Sequence, residues 1–156
     1  MKLVKLRQAL MDLNVDALLI TNEYNRRYMT GFTGTAGVAV VTKDDAVFIT
    51  DFRYTEQAAA QVKDFRIVQH TGPIFAEVGA QVALMGAKTI GFEKDSMSYG
   101  TYEIYKEAVK AEFVPVSGVI EKIRLIKTQE EINIIKAACE IADNAFTHIL
   151  DYIKPG

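Results

Sequence analysis

The chain contains 156 residues, of which 49% are hydrophobic and 24% charged, and its 18 basic and 20 acidic side chains leave a formal net charge of −2. This balance is typical of a compact soluble protein, and the lack of any run of like charges argues against nucleic acid and anionic membranes as partners. The single cysteine, Cys139, excludes a disulfide within the chain, and no apolar run suits a membrane span or a signal peptide, so we expect a cytoplasmic protein.

The first part of the chain alternates helical and strand patterns. Four leucines at helical spacing predict an opening amphipathic helix: Leu3, Leu6, Leu10 and Leu13. The apolar run at 17–21 predicts a buried strand, and the polar and aromatic segment 22–30 predicts a loop or a short helix. Two runs of strand-forming residues, 37–42 and 46–50, are separated by a polar turn and predict a β-hairpin.

The middle of the chain continues this alternation. Asp51 stands where a helix N-cap belongs, and an alanine-rich segment then predicts a helix at 54–62. Strand patterns follow at 65–69, 89–92 and 113–116, and helical patterns at 74–84 and from Ser98 to about residue 110. Because strands alternate with helices and a hairpin needs antiparallel pairing, we predict an α/β fold with a mixed β-sheet flanked by helices.

The last segment predicts a long C-terminal helix. Thr128 and Glu131 have the spacing of a capping box. Apolar residues then recur at steps of three and four: Ile132, Ile135, Cys139, Ala142, Phe146, Ile149 and Ile153. Pro155 and Gly156 would stop the helix. Because a continuous apolar face needs a partner, we interpret the helix as the first element of a second domain; the alternative is that it packs back on the α/β domain.

Three glycines lie close together at Gly31, Gly34 and Gly37. A phosphate-binding loop would lead from a strand into a helix N-terminus and would place a lysine beside the phosphate. Here a strand follows and no lysine is suitably placed. We therefore favour glycines that let the backbone turn tightly into a strand.

The segment from Asp51 to Tyr54 lies at a strand-to-helix junction, where functional side chains of α/β sheets often gather. Arg53 could bind a carboxylate through its planar guanidinium. The alternative is that Asp51 caps the helix and Arg53 pairs locally with it. His70 and His148 have no second ligand at metal-binding spacing, so we expect no metal site in this chain.

Three segments together resemble the creatinase/prolidase amino-terminal domain: NRRYMTGFTG at 25–34, TDFRY at 50–54 and IRLIKTQEEI at 123–132. They occur in the order found in that family, and the third resembles the family's junction with its catalytic domain. The resemblance implies a ribonuclease-H-like α/β domain at residues 1–123. It also implies that residues 124–156 are the linker and first helix of a missing metallopeptidase domain of the pita-bread fold.

Within that family the sequence is most similar to bacterial Xaa-Pro dipeptidases and aminopeptidases, which hydrolyse the peptide bond before proline. Their catalytic domain carries two aspartates, a histidine and two glutamates that hold two divalent metal ions, manganese or cobalt. None of those ligand motifs occurs in this chain. The resemblance therefore implies a domain that is inactive by itself and holds no cofactor, within a parent hydrolase that acts on short proline-containing peptides.

The resemblance also implies a homodimer in which this domain covers the active site of the neighbouring subunit. Arg53 would then contact a substrate carboxylate, and Phe32 or Tyr54 would line the entrance. Two other functions stay open: a stand-alone module that binds a small anion in its α/β crevice, and a ribonuclease-H-like nuclease that uses Asp51 with a metal. The neutral charge balance and the lack of a carboxylate cluster count against the nuclease.

Overall fold

A computed structural model describes residues 2–156, which divide into two compact units with the boundary between Ile123 and Arg124. The helices are α1 (Lys2–Leu13), α2 (Glu23–Thr30), α3 (Thr55–Gln61), α4 (Ile74–Leu84), α5 (Tyr99–Ala108), α6 (Val119–Leu125) and α7 (Gln129–Leu150). The strands are β1 (Ala17–Ile20), β2 (Val38–Thr42), β3 (Ala46–Thr50), β4 (Arg66–Gln69), β5 (Thr89–Glu93) and β6 (Glu112–Val116). Among the helices within 2–156, none is long and apolar enough to cross a membrane.

The first unit is built on one six-stranded sheet in the order β4-β3-β2-β1-β5-β6. β2 pairs antiparallel with both β1 and β3, whereas the β1–β5, β5–β6 and β3–β4 pairs are parallel. The predicted hairpin and the predicted mixed α/β sheet are therefore confirmed. β4 and β6 are the edge strands, and β6 contains Pro115.

The central strands are buried on both faces, which explains why they read as continuous apolar runs rather than as alternating patterns. All five residues of β2 and all five of β3 are buried. Leu18, Val41 and Phe48 belong to the core on one face, where α1 also contributes. Leu19 and Val47 belong to the core on the other face, which α4 and α5 cover. The sheet is thus the middle layer between two layers of helices.

Several chain segments meet at one edge of this sheet. The ends of β1, β3 and β5 lie at that edge, and the register Ile20↔Ala39 and Val38↔Ile49 brings the start of β2 there as well. We call it the carboxyl edge. Residues 31–37 precede β2 at this edge and form the glycine loop.

The structure differs from the sequence predictions in three places. α6 was not predicted, because its seven residues are too few to display a helical period. A 3-10 turn, Phe52–Tyr54, comes before α3, so Asp51 caps that turn rather than the helix itself. α7 ends at Leu150, with Asp151 as its C-cap, so the apolar pattern continues to Ile153 past the end of the helix.

The second unit contains α7 and the segment before it. The predicted capping box is confirmed: Thr128 Oγ1 accepts from the Glu131 amide at 3.2 Å, and Glu131 Oε2 accepts from the Thr128 amide at 2.8 Å. None of the 22 residues of α7 is buried.

Candidate functional site

The segment that follows β3 places a charged pair at the carboxyl edge. The Asp51 carboxylate accepts from the Arg53 amide at 3.0 Å and, in a bidentate pair, from Arg53 Nε at 2.9 Å and Nη2 at 2.8 Å. These bonds hold the pKa of Asp51 down at about 2 and raise the pKa of Arg53. The Arg53 side chain is 62% exposed. Two of the five N–H groups of a guanidinium are used in this pair, which leaves three for another partner.

Arg53 therefore pairs locally with Asp51, and its guanidinium keeps N–H groups that can bind a further partner. A guanidinium that is held on one side by a carboxylate keeps its plane fixed and can bind a second planar anion on its free side. The structure thus shows the local pairing, and binding of a second carboxylate by Arg53 stays a prediction.

Tyr54 joins this turn to the glycine loop. Its hydroxyl lies 2.8 Å from Thr35 Oγ1, and its ring is 5.6 Å from the Arg53 guanidinium carbon. The ring of Phe32 packs edge-on beneath it, with the ring centres 5.7 Å apart. Tyr54 is half-buried and keeps part of its ring at the surface.

Phe32 lies in the core and not at a surface where it could line a substrate entrance. Its side chain is 0% exposed and packs against Phe48 with ring centres 4.7 Å apart, so it has no surface to offer a substrate. It supports Tyr54 from inside the core. The exposed aromatic residue of this region is Phe52, which is 73% exposed beside Arg53 and which sequence reasoning passed over.

The glycine loop approaches these rings so closely that side chains cannot be accommodated. A Cβ at Gly34 would lie 2.4 Å from the Phe32 ring and 2.9 Å from Tyr54, and Gly37 has φ +148° immediately before β2. The interpretation of these glycines as a tight turn into a strand is confirmed. Thr50 Oγ1 also donates to the Ala36 carbonyl at 2.8 Å, which ties the loop to the end of β3.

A second polar network lies at the carboxyl edge around a carboxylate that the sequence reasoning missed. Glu93 accepts from the Thr21 and Asn22 amides at 2.9 and 2.8 Å, and Asn25 Nδ2 donates to Glu93 at 2.7 Å and to Glu121 at 2.5 Å. Burial raises the pKa of Glu93. The network joins the ends of β1 and β5 to α2 and α6. Its only sequence signal is an acidic residue at the end of an apolar strand.

A crevice of about 130 Å³ borders this network. Its lining includes the carboxyl groups of Glu93, Asp95 and Glu121. The crevice is lined by residues of β1, β5, β6 and α6, and from β1 and β5 the chain continues toward opposite edges of the sheet. In open α/β sheets such a position commonly receives a ligand. Here its lining is acidic.

Arg26 is the other functional candidate that the sequence analysis did not single out. It is buried on α2, next to Asn25, and donates to the carbonyls of Gly34 and Gly37 at 2.7 Å each. The two neighbouring polar residues of α2 therefore serve different parts of the carboxyl edge. Asn25 serves the carboxylates, and Arg26 serves the glycine loop.

His70 follows β4 at the carboxyl edge, where its amide donates to the Thr50 carbonyl at 3.0 Å, whereas His148 and Cys139 belong to α7. Nδ1 of His70 lies 2.7 Å from the Gly72 carbonyl, and the ring of His148 is 5.1 Å from that of Tyr152. Cys139 is a free, exposed thiol on α7. Across residues 2–156, no group of three or more histidine, cysteine, aspartate or glutamate side chains could hold a metal ion.

Comparison with known proteins connects this arrangement to a protein family. Residues 2–126 match the model of the creatinase/prolidase N-terminal domain. An uncharacterised peptidase of Bacillus subtilis is 54% identical over 157 aligned residues, which cover 100% of this chain and 44% of that protein. The chain therefore spans less than half the length of this relative.

Two solved structures share the fold. An Xaa-Pro dipeptidase from Bacillus anthracis matches with a TM-score of 0.97 and 53% identity, over 99% of this chain and 44% of that one. The N-terminal domain of a cytoplasmic peptidase from Mycobacterium tuberculosis matches with a TM-score of 0.72 and 29% identity, over 78% of this chain and 96% of that one. The second of these was crystallised as a separate domain.

Proposed function

The chain belongs to the creatinase/prolidase N-terminal domain family, and from this premise we propose that it is the non-catalytic domain of an Xaa-Pro dipeptidase or aminopeptidase. The observation that carries the proposal is the likeness to the Bacillus anthracis Xaa-Pro dipeptidase over 99% of this chain, at 53% identity. The parent protein would be a cytoplasmic hydrolase that cleaves the peptide bond before proline in short peptides.

In this proposal the reacting groups belong to the rest of the parent protein. The family implies two divalent metal ions, manganese or cobalt, that activate a water for attack on the peptide bond. The described residues 2–156 do not fit such ions, since they contain no suitable group of carboxylate, histidine or cysteine side chains. We therefore assign residues 1–123 to the amino-terminal domain and 124–156 to the linker and first helix of the metallopeptidase domain.

The contribution of this domain would be to build a homodimer and to cover the active site of the neighbouring subunit. Arg53 supports this role, because its exposed guanidinium keeps N–H groups free while Asp51 fixes its plane. A carboxylate at the end of a short peptide is a planar anion that this fork can bind. Tyr54 would border the same surface, with Phe32 supporting it from below.

The alternative functions receive less support from the same geometry. A small anion would meet the acidic crevice lined by Glu93, Asp95 and Glu121, where like charges oppose its binding. A nuclease would need Asp51 for a metal ion, but both oxygens of that carboxylate already bind Arg53. A peptidase domain needs neither a metal ion at Asp51 nor an anion in the acidic crevice, so it agrees with these contacts.

The first experiment tests the site. In the full-length protein that carries this domain, we expect Arg53→Lys to lower kcat/KM for an Xaa-Pro dipeptide about tenfold, the effect of losing one charge-assisted hydrogen bond. Folding should survive, because the Arg53 side chain is 62% exposed. Arg27→Lys is the matched control, since Arg27 is also an exposed arginine. If Arg53→Lys and Arg27→Lys had the same kcat/KM, Arg53 would be only a structural partner of Asp51 and would not contact the substrate.

The second experiment tests the assignment of catalysis. Purified chain 1–156, supplied with manganese or cobalt, should release no proline from an Xaa-Pro dipeptide under conditions in which the full-length protein does. Measurable turnover by the purified chain would contradict the proposal that this domain is non-catalytic.

A further inference from the structure

Arg26 is a buried cation without a carboxylate partner. Its side chain belongs to a residue that is only 4% exposed, and among the described residues no carboxylate forms an ion pair or a hydrogen bond with it. Its Nε is buried without any hydrogen-bond partner, and burial lowers the pKa of the guanidinium. Removing a charge from water is costly, and here burial outweighs the favourable charge of nearby Glu23, which makes no ion pair with Arg26. We therefore expect Arg26 to have a role that a neutral side chain could not perform.

The partners of Arg26 are all backbone carbonyls of the glycine loop. Nη2 donates to Gly34 at 2.7 Å, and Nη1 donates to Gly37 at 2.7 Å and to Thr35 at 3.4 Å. Three peptide groups within four residues therefore face one guanidinium. The planar fork of arginine spans such a set, whereas the single ammonium group of lysine presents one point charge. Arg26 thus fixes the path of the loop.

The loop that Arg26 fixes is in direct contact with Tyr54. Thr35, whose carbonyl faces Arg26, places its hydroxyl 2.8 Å from the Tyr54 hydroxyl. Gly34, whose carbonyl also accepts from Arg26, lies so close to the Tyr54 ring that a Cβ there would be 2.9 Å from it. Tyr54 in turn stands 5.6 Å from the Arg53 guanidinium. A continuous series of contacts therefore runs from the buried cation to the exposed one.

We propose that Arg26 is a positioning residue for the carboxylate-binding surface formed by Arg53 and Tyr54, an inference that rests on the function proposed above. The buried guanidinium holds the glycine loop, the loop holds Tyr54 through Thr35, and Tyr54 limits where the Arg53 side chain can lie. Arg26 itself touches no substrate. Its effect is to present the free side of Arg53 in one orientation to the carboxylate of a short peptide.

The test compares an Xaa-Pro dipeptide with its C-terminal amide as substrates of the full-length protein. In Arg26→Lys we expect KM for the free acid to rise about tenfold, as for the loss of one charge-assisted hydrogen bond, with kcat nearly unchanged. KM for the amide should not move, because the amide lacks the carboxylate. Arg27→Lys, an exposed neighbour on α2, should leave both substrates unaffected.

A second variant keeps the test decisive if Arg26→Lys fails to fold. Thr35→Val replaces an exposed hydroxyl by a methyl group of similar size and removes only the contact with Tyr54. It should raise KM for the free acid selectively, by a smaller factor. Combined with Arg26→Lys, it should add little, since both act through the same contact.

Hydrogen exchange of the loop amides separates the possible failures. Faster exchange at residues 34–37 in Arg26→Lys, with the preference for acid over amide unchanged, would mean that Arg26 only stabilises the fold and would overturn the positioning role alone. A parallel measurement on Arg53→Lys addresses the proposed function. If that variant also keeps the unmodified preference, the carboxylate contact itself is wrong, and the positioning role falls with it.

Discussion

The sheet of the first unit and helix α7 contain similar apolar residues in opposite environments. Every residue of β2 and β3 is buried, whereas none of the 22 residues of α7 is. Phe48 in β3 is 0% exposed and Phe146 in α7 is 64% exposed, although both are phenylalanines within regular elements. The sheet is stabilised by burial between two helical layers. α7 is stabilised by its capping box and its own hydrogen bonds.

A regular element can therefore form either because its side chains are buried or because its own hydrogen bonds and cap stabilise it. An amphipathic pattern in the sequence states which side chains would be buried if a partner were present. It does not state that the partner is in the same compact unit. Matched substitutions in the sheet and in α7 therefore allow the two regions to be compared directly.

The largest difference is expected from paired phenylalanine substitutions. Phe48→Ala should lower the free energy of unfolding by about 3–5 kcal/mol, because it leaves a cavity between sheet and helices. Phe146→Ala should change it by less than about 0.5 kcal/mol, since its ring is mostly exposed. Urea denaturation followed by circular dichroism measures both. A loss of similar size in Phe146→Ala would show that α7 is part of the cooperative core.

The two helix N-caps give a smaller contrast. Ser98 caps α5 in the first unit, and Thr128 caps α7. Replacing either by alanine should cost about 1 kcal/mol of local stability. For Ser98→Ala the cost should appear in the unfolding midpoint of the sheet. For Thr128→Ala it should appear as faster hydrogen exchange at the start of α7, with that midpoint unchanged. A shifted midpoint in Thr128→Ala would show instead that α7 unfolds together with the sheet.

Two carboxylates of the first unit, Glu93 and Asp51, should make the stability of the fold depend on pH in opposite directions. The pKa of Glu93 is raised, first by burial, with the charge of Glu121 adding to it against the hydrogen bonds it accepts. Its stabilising contribution is therefore complete below the ordinary pKa of 4.5 and is lost as the pH rises through the raised value. Asp51 has the opposite sign: its contribution is present above 3.8 and is lost as the pH falls through about 2.

Chemical denaturation across this pH range provides the measurement. The stability of the unmodified chain relative to Glu93→Gln should decline as the pH rises above 4.5. Relative to Asp51→Asn, it should decline as the pH falls below 3.8. A flat difference for Glu93→Gln would mean that Glu93 is solvated in the folded chain.

The fold was largely predictable because its signals are local. The leucine spacing of α1, the two strand runs of the hairpin and the capping box of α7 each lie within a few consecutive residues. α6 escaped prediction because its seven residues are too few to display a helical period, and its inner face is identified by the packing of Val119, Ile120 and Ile123 on the core.

The candidate site was predictable only in part, because its contacts are long-range. The position of Arg53 after a strand was a usable signal, and its partner Asp51 is two residues away. Asn25 and Glu93 are 68 residues apart, so no spacing in the sequence joins them. Phe32 was proposed for a surface role because it lies in a conspicuous motif, but its ring is buried in the core against Phe48, a contact that no local spacing predicts.

The edges of the sheet carry a consequence for behaviour at high concentration. An edge strand offers unpaired backbone groups to a strand of another molecule, and this is a common beginning of aggregation. At β6, Pro115 removes one of the N–H groups that an incoming strand would need. At the opposite edge, β4 has only four residues and begins with the charged Arg66. Both edge strands therefore disfavour pairing with a strand of another molecule, so we expect the sheet to resist edge-to-edge aggregation.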